Sequence, residues 1–459
     1  MSIFKTQDIK SVSKHVKSSE KNLGTLDLTL LSIGSVIGTG VMVLTGIVAA
    51  KEAGPGVMFS FLIGGIAAAI IVLCYAELCA TIPSSGGSYT FLYVTMGEIV
   101  AYVAGLAIII GYILATATVA SGWGSYLLNF LGSFGIHFSK EFTTIPSQGG
   151  IVNLPAVLSI LFITFIISCG TKNSKKVNNI MVFTKIGVIL LFVIVGIFYM
   201  NTKNWIPFLP YKITGVLSGA ATVFFAYCGF DATASAAPYV KNPKKSLPIG
   251  LLVSLAVCTF IYVAVSGVLT GITSYIHLNV SDALAYALKL SNRPFIEMIV
   301  SLGSVIGILA VIFAGNFSTS QILSTMSIDG LLPKIFGKKD KRDVPYVALW
   351  IVGIVGALLA EFVNLNQLAN FASLAMLIVY GLISFSIIIF RKKYPNIKRE
   401  FKTPLVPLLP TLGVACCLFL ITNLQESTIL IATVIIVILI ISYFIYGKKH
   451  SKVKEENTI

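Results

Sequence analysis

Apolar residues run along this chain in blocks of roughly twenty, the length a helix needs to cross the hydrocarbon of a bilayer. Twelve such blocks are predicted as membrane spans: 25–50, 57–80, 98–130, 153–170, 178–199, 214–237, 248–272, 296–320, 346–362, 367–390, 405–424 and 428–447. A large soluble helical protein would instead show amphipathic stripes, each with a charged face. The runs 182–200 and 429–446 carry no such face. The pattern predicts an all-α membrane protein.

Composition agrees and narrows the class. Of 459 residues, 56% are hydrophobic and 11% charged, with a mean hydropathy of +0.91. A soluble domain carries about 25% charged residues, which argues against a water-soluble enzyme of this size and rules out disorder of the bulk chain. The net charge of +15 reads at first as a sign of nucleic acid, an acidic partner or a membrane surface. Sorted by loop, it resolves. With the N-terminus in the cytoplasm, 26 of the 33 Lys and Arg residues fall in cytoplasmic segments and 6 outside: Lys51, Lys140, Lys203, Lys212, Lys289 and Arg293. That asymmetry is the positive-inside signal. It places both termini in the cytoplasm and leaves no charge asking for a nucleic-acid partner. Residues 1–24 are polar and basic, and the first apolar run is too long for a signal-peptide core.

The cysteines Cys74, Cys79, Cys169, Cys228, Cys258, Cys416 and Cys417 all fall in predicted spans, so they are expected as small buried residues rather than a disulfide framework. The histidines His15, His137, His277 and His450 lie in loops or tails. There is no HExxH, and no GxxxxGK followed by Ser or Thr, which argues against a zinc protease and an ATP-driven motor. No metal or cofactor is expected.

Two spans are interrupted by glycine. Span 1 carries Gly34, Gly38, Gly40 and Gly46, and span 6 carries Gly229 just before Asp231. Glycine weakens a helix by about 1 kcal/mol relative to alanine, and backbone freed inside hydrocarbon must be satisfied by protein, water or ligand. Close helix packing through Gly34-x-x-x-Gly38 explains one such helix. Two of them five spans apart point further. A repeat with an odd number of spans is inverted, and interrupted segments in matching positions mark a midplane transport site. Half-helix N-termini suit a carboxylate, and the exposed carbonyls of half-helix C-termini suit an ammonium or other cation. Backbone N–H groups around Gly38, Thr39 and Gly40 would take the carboxylate of an α-amino acid. Carbonyls around Phe225, Ala226 and Cys228 would take its amino group.

Lys185 is the one basic residue that belongs to neither side, about two turns into span 5. An ionisable residue within the membrane is a functional candidate. An ammonium taken out of water is costly, so this one is a candidate to release and rebind a proton, and it would compete with a sodium ion between spans 1, 5 and 8. The plainer reading is a lysine snorkelling to the headgroups. Asp231 and Glu77 are secondary candidates. Asp231 pairs with a hydroxyl, caps a half-helix or takes part in coupling, and Glu77 is interfacial or structural. Asp27 fits an ordinary helix N-terminal charge.

These residues resemble the amino acid–polyamine–organocation superfamily of permeases, most closely the cationic amino acid transporters and their bacterial relatives. The markers are Ile37-Gly-Thr-Gly40 with Leu44-Thr-Gly46, Tyr75-Ala-Glu77 with Pro83-Ser-Ser-Gly-Gly-Ser-Tyr89, and Phe225-Ala-Tyr-Cys-Gly-Phe-Asp231. They continue with Asn242-Pro243 and Pro248, Asp329-Gly-Leu-Leu-Pro333, and Phe401-Lys-Thr-Pro-Leu-Val-Pro407. The resemblance implies the leucine-transporter fold: five-span repeats at 25–199 and 214–390, spans 11 and 12 at 405–447, and tails at 1–24 and 448–459. It also implies amino acid uptake, proton-coupled in bacterial relatives, at the cytoplasmic membrane. The family's span-5 lysine matches Lys185, and its substrate-backbone segments match Val36 to Gly40 and Phe225 to Cys228. This chain departs in having Pro238-Tyr239 where paired glutamates are usual, Cys228 where a branched aliphatic is common, and a polar run at 314–320. The side-chain preference is therefore open, and cationic substrates do not follow from the family.

The expectation is a monomeric, proton-coupled importer of L-amino acids, with H+ as coupling ion and the bilayer as surroundings. The rivals are an exchanger of amino acids or polyamines without proton coupling, a channel, and a non-transporting sensor. An intramembrane aspartyl protease needs two facing aspartates, and only Asp231 lies mid-span.

Overall fold

The computed structural model describes residues 5–9, 23–84, 86–169, 174–291, 293–340, 342 and 344–452. Side chains at 174–178, 235, 238 and 239 are not described. Most of the 1–24 tail, the end of the 448–459 tail and the Pro238-Tyr239 side chains therefore lie outside the described residues. The described chain is all helical, with an isolated bridge between Leu23 and Val240. In order the helices are α1 (Thr25–Val36), α2 (Val57–Thr81), α3 (Ser88–Thr95), α4 (Glu98–Gly132), α5 (Leu154–Ser168), α6 (Ser174–Ile197) and α7 (Lys212–Val223). They continue as α8 (Pro243–Ile272), α9 (Ala283–Leu290), α10 (Pro294–Ile328), α11 (Tyr346–Phe362), α12 (Leu365–Lys393), α13 (Leu408–Thr422) and α14 (Glu426–Ser442).

Among the described residues, 8 helical stretches are long and apolar enough to cross a membrane, and α1, α5, α11 and α13 are shorter apolar helices. α1 has 12 residues, about 18 Å of helix, too short to cross alone. After it, residues 37 and 38 leave the helix, Thr39 returns to helical backbone angles, and a mixed π- and α-helical stretch occupies 40–53. Segments 81–97 and 273–295, read from sequence as connections, hold the short helices α3 and α9. Large apolar side chains face outward on several helices, among them Ile194, Ile197, Phe260 and Ile438. A soluble protein does not expose such a belt. In hydrocarbon it costs nothing.

Packing sorts the helices into pairs. α2 packs on α8, α4 on α10, α5 on α11, and segment 40–53 on α7. α1 packs mainly on α8, with α6 on its other side. α12 lies on α4, and α13 packs on α12 and α2. On the outermost helix, α14, Thr428 is the one buried side chain. The described residues nearest the two termini, 5–9 and 448–452, gather at one end of the bundle. There the Gln7 N–H donates to the Tyr93 carbonyl, and Ser451 donates to the buried carboxylate of Glu98.

All seven cysteines are free. Burial fails for one of them: Cys169 is exposed, because it is the C-cap residue just past the last turn of α5. Cys416, on α13, is half-buried.

Candidate functional site

The chain leaves α1 at Ile37, whose backbone is extended at φ −74°, ψ 106°. Helix resumes as a π turn at Gly40. The second interruption follows α7. A 3-10 turn spans Phe224–Tyr227, Cys228 is extended, and Gly229 has φ +114°, a conformation costly for any residue with a Cβ. A 3-10 stretch then runs through Phe230–Tyr239.

The two interruptions touch. A Cβ on Gly40 would stand 2.4 Å from the Cβ of Ala226 and 2.5 Å from its Cα, and a Cβ on Gly229 would stand 2.8 Å from the Ser35 carbonyl oxygen. Only glycines allow this approach. The hydroxyl of Tyr262, on α8, lies 3.0 Å from the Val36 carbonyl and 2.8 Å from that of Ala226. It has one proton, so it donates to one interruption at a time.

The freed carbonyls of α1 meet a cation. Lys185 on α6 is fully buried, and its Nζ donates to the carbonyls of Gly34 at 2.6 Å and Ile37 at 2.7 Å. A positive charge at the carbonyl end of a helix is favourable, and the two bonds satisfy acceptors that the break would otherwise orphan. Among the described residues no carboxylate pairs with it. The snorkelling geometry is not the one observed. The backbone of α10 makes room at Gly307, where a Cβ would stand 2.4 Å from the Lys185 Cβ.

Between the interruptions lies a cavity of about 30 Å³, room for about two waters. Val36, Gly38, Thr39 and Gly40 line one side, and Phe225, Ala226 and Cys228 the other. All seven residues singled out from the sequence as substrate contacts are thus brought together. Tyr112 and Thr116 of α4, Val311 and Ala314 of α10, and Met376 of α12 close the walls. No charged side chain is among the described residues lining it. The buried hydroxyl of Thr39 has no hydrogen-bond partner among the described residues, an unmet need that a ligand would fill.

Lys185 does not line this cavity. Its Nζ reaches instead the Gly34 and Ile37 carbonyls, which stand beside the lining residues Ser35, Val36 and Gly38. Asp231 lies buried beside it and accepts from the Tyr380 hydroxyl at 2.7 Å, with Phe230 stacked on the Tyr380 ring at 4.8 Å. This is the hydroxyl pairing among its three sequence readings. Glu77 is elsewhere. Fully buried, it takes Arg391 at 3.1 and 2.7 Å, Arg399 at 3.2 Å and the Thr403 N–H at 2.7 Å, tying α2 to the last turn of α12 and the segment after it. Asp27 accepts the Gly24 N–H at 2.9 Å at the start of α1. Sequence reasoning missed Tyr262, Tyr112 and Met376. A lone tyrosine within an aliphatic span was the available signal for Tyr262.

A model of the amino acid permease family matches residues 23–454. An all-helical chain with this many apolar helices and this match is a multi-pass membrane permease. The chain belongs to the amino acid permease family of the amino acid–polyamine–organocation superfamily. It is 42% identical to the methylthioribose transporter of Bacillus subtilis, over 98% of this chain and 99% of that protein. Its identity to the branched-chain amino acid permease BcaP of the same organism is 41%, over 98% of each chain. With cationic amino acid transporter 4 of Mus musculus it shares 34%, over 82% of this chain and 60% of that protein.

Proposed function

We propose that this permease imports neutral amino acids across the cytoplasmic membrane by proton symport. Twelve spans, both termini cytoplasmic and two inverted five-span repeats are part of the reading. The packing pairs support it: 40–53 with α7, α2 with α8, α4 with α10 and α5 with α11 each join a span to the one five further on. Spans 1, 2, 6 and 7 then form one body and spans 3, 4, 8 and 9 another, with the cavity between them. Rocking one on the other exposes the cavity to each side in turn.

The observation that carries the coupling is the Lys185 ammonium on the Gly34 and Ile37 carbonyls. Protonated, it holds the carbonyl end of α1 through two charge-assisted bonds. Releasing the proton to the cytoplasm removes that charge and frees α1 to swing. The amino acid's head sits between 36–40 and 225–228, and its ammonium displaces the Tyr262 hydroxyl from a carbonyl. The uncharged wall favours a neutral side chain, since a buried unpaired charge is costly. BcaP, a branched-chain permease by name, agrees with this preference.

Proteoliposome uptake tests it. An inside-alkaline proton gradient alone is expected to drive saturable, stereospecific accumulation of a small apolar L-amino acid, with lysine a poor competitor. Uptake that ignores the gradient and follows only internal substrate makes the protein an exchanger, and binding without uptake makes it a sensor.

A further inference from the structure

The two halves of the first interrupted span are fastened to different neighbours. The half with α1 is held by α8, through Thr25 to Ser246 at 2.9 Å and Ser32 to Ser254 at 2.7 Å, and by Lys185 of α6. The half at 40–53 is held by α7. Its fastening has a polar centre: the Glu52 carboxylate accepts from the Ser218 hydroxyl at 3.0 Å and the Thr222 hydroxyl at 3.1 Å. Ser218 and Thr222 lie one turn apart on one face of α7, the spacing that lets both reach one carboxylate. The Tyr211 hydroxyl adds a bond to the Ala50 carbonyl at 2.6 Å. The same face of α7 is stripped to glycine where the segments meet. A Cβ on Gly215 would stand 2.1 Å from the Glu52 carbonyl oxygen, and one on Gly219 would stand 3.0 Å from a Val48 methyl.

At the cavity the same half-spans meet again, Gly40 on Ala226. Glu52 lies twelve residues further on, about 18 Å along a helix. One contact alone is a pivot, and two at opposite ends fix the angle. We propose that Glu52 is a positioning residue: its carboxylate locks segment 40–53 and α7 into one rigid unit, so that both move together when the site opens and closes at the end remote from Gln7 and Ser451. The proposal rests on the transport reading above.

The test compares Glu52→Ala, Glu52→Gln and the double variant Ser218→Ala/Thr222→Ala in proteoliposomes, with hydrogen exchange on the purified proteins. Glutamine keeps the oxygen acceptor and can donate as well. Glu52→Ala and the double variant are expected to lower the maximal uptake rate about tenfold or more, with KM within about threefold. Glu52→Gln is expected to keep at least about half the rate. Amide exchange in 40–53 and 212–223 should rise together in Glu52→Ala and stay unchanged in 98–132. Wild-type rate and exchange in Glu52→Ala overturn the proposed link. So does a Glu52→Gln variant as slow as the alanine one with wild-type exchange, since charge and not the link would then matter. Absence of saturable uptake by the wild-type protein would instead sink the transport reading, while the exchange data still judge the link.

Discussion

Gly307 and Lys185 pack so closely that a single methyl group on the glycine would stand 2.4 Å from the lysine Cβ and 3.3 Å from its Cα. The first contact is with the root of the side chain and the second with backbone, so flexibility of the lysine's far end cannot relieve it. Gly307→Ala is expected to cost about 1–3 kcal/mol of overpacking and to push Nζ off the Gly34 and Ile37 carbonyls. Gradient-driven accumulation should fall about tenfold or more. Full accumulation with an unchanged melting temperature would show that α6 and α10 part without consequence.

Removing the ammonium itself separates coupling from binding. Lys185→Ala leaves two buried carbonyls without their partner, at a cost of about 1–3 kcal/mol each, and deletes the titrating group. Accumulation driven by a proton gradient is expected to vanish, while exchange of labelled for unlabelled substrate survives. Lys185→Arg should fare no better at accumulation: the guanidinium does not release its proton and is too bulky for a site already tight at Gly307. Gradient-driven accumulation by either variant would remove the lysine from the coupling step.

At Gly40 the clash is with backbone as well as side chain. Gly40→Ala is expected to reduce uptake about 100-fold, because both interruptions would have to separate at the cavity. Ala226→Gly relieves the 2.4 Å contact with Cβ and leaves the 2.5 Å contact with Cα. The double variant Gly40→Ala/Ala226→Gly should therefore stay inactive. Recovery of uptake in the double variant would mean that the side chain alone sets the approach.

Glycines, Gly40 and Gly229 of this approach among them, are also what made the candidate site legible. Gly34, Gly38, Gly40 and Gly229 break an otherwise aliphatic pattern, and a break in hydrocarbon has few explanations. Lys185 was legible for the same reason, as a charge with no place in the bilayer. The walls of the cavity were not. Tyr112, Val311 and Met376 come from three different helices, and nothing along the chain says which face of an all-apolar helix turns inward. Glu52 and its hydroxyl partners were hidden likewise: 52 and 218 are joined only by tertiary packing. Cys169 went wrong because the apolar run continues past the helix end, and hydropathy cannot see a C-cap.

Glu77 is the sharpest test of reading position rather than charge. It is as buried as Lys185 and equally out of place in an apolar span, yet its partners are Arg391, Arg399 and the Thr403 N–H rather than the cavity. Glu77→Ala would leave two arginine side chains facing a buried gap, and breaking a buried ion pair from one side costs about 3–5 kcal/mol. Glu77→Gln keeps the shape and loses the charge, so it should recover little. The expected outcome is a large fall in melting temperature and yield for both variants, with KM and proton dependence of the surviving folded protein unchanged. The opposite pattern, normal stability with altered proton dependence, would move Glu77 from the scaffold into the proton path and leave Lys185 with a partner in coupling.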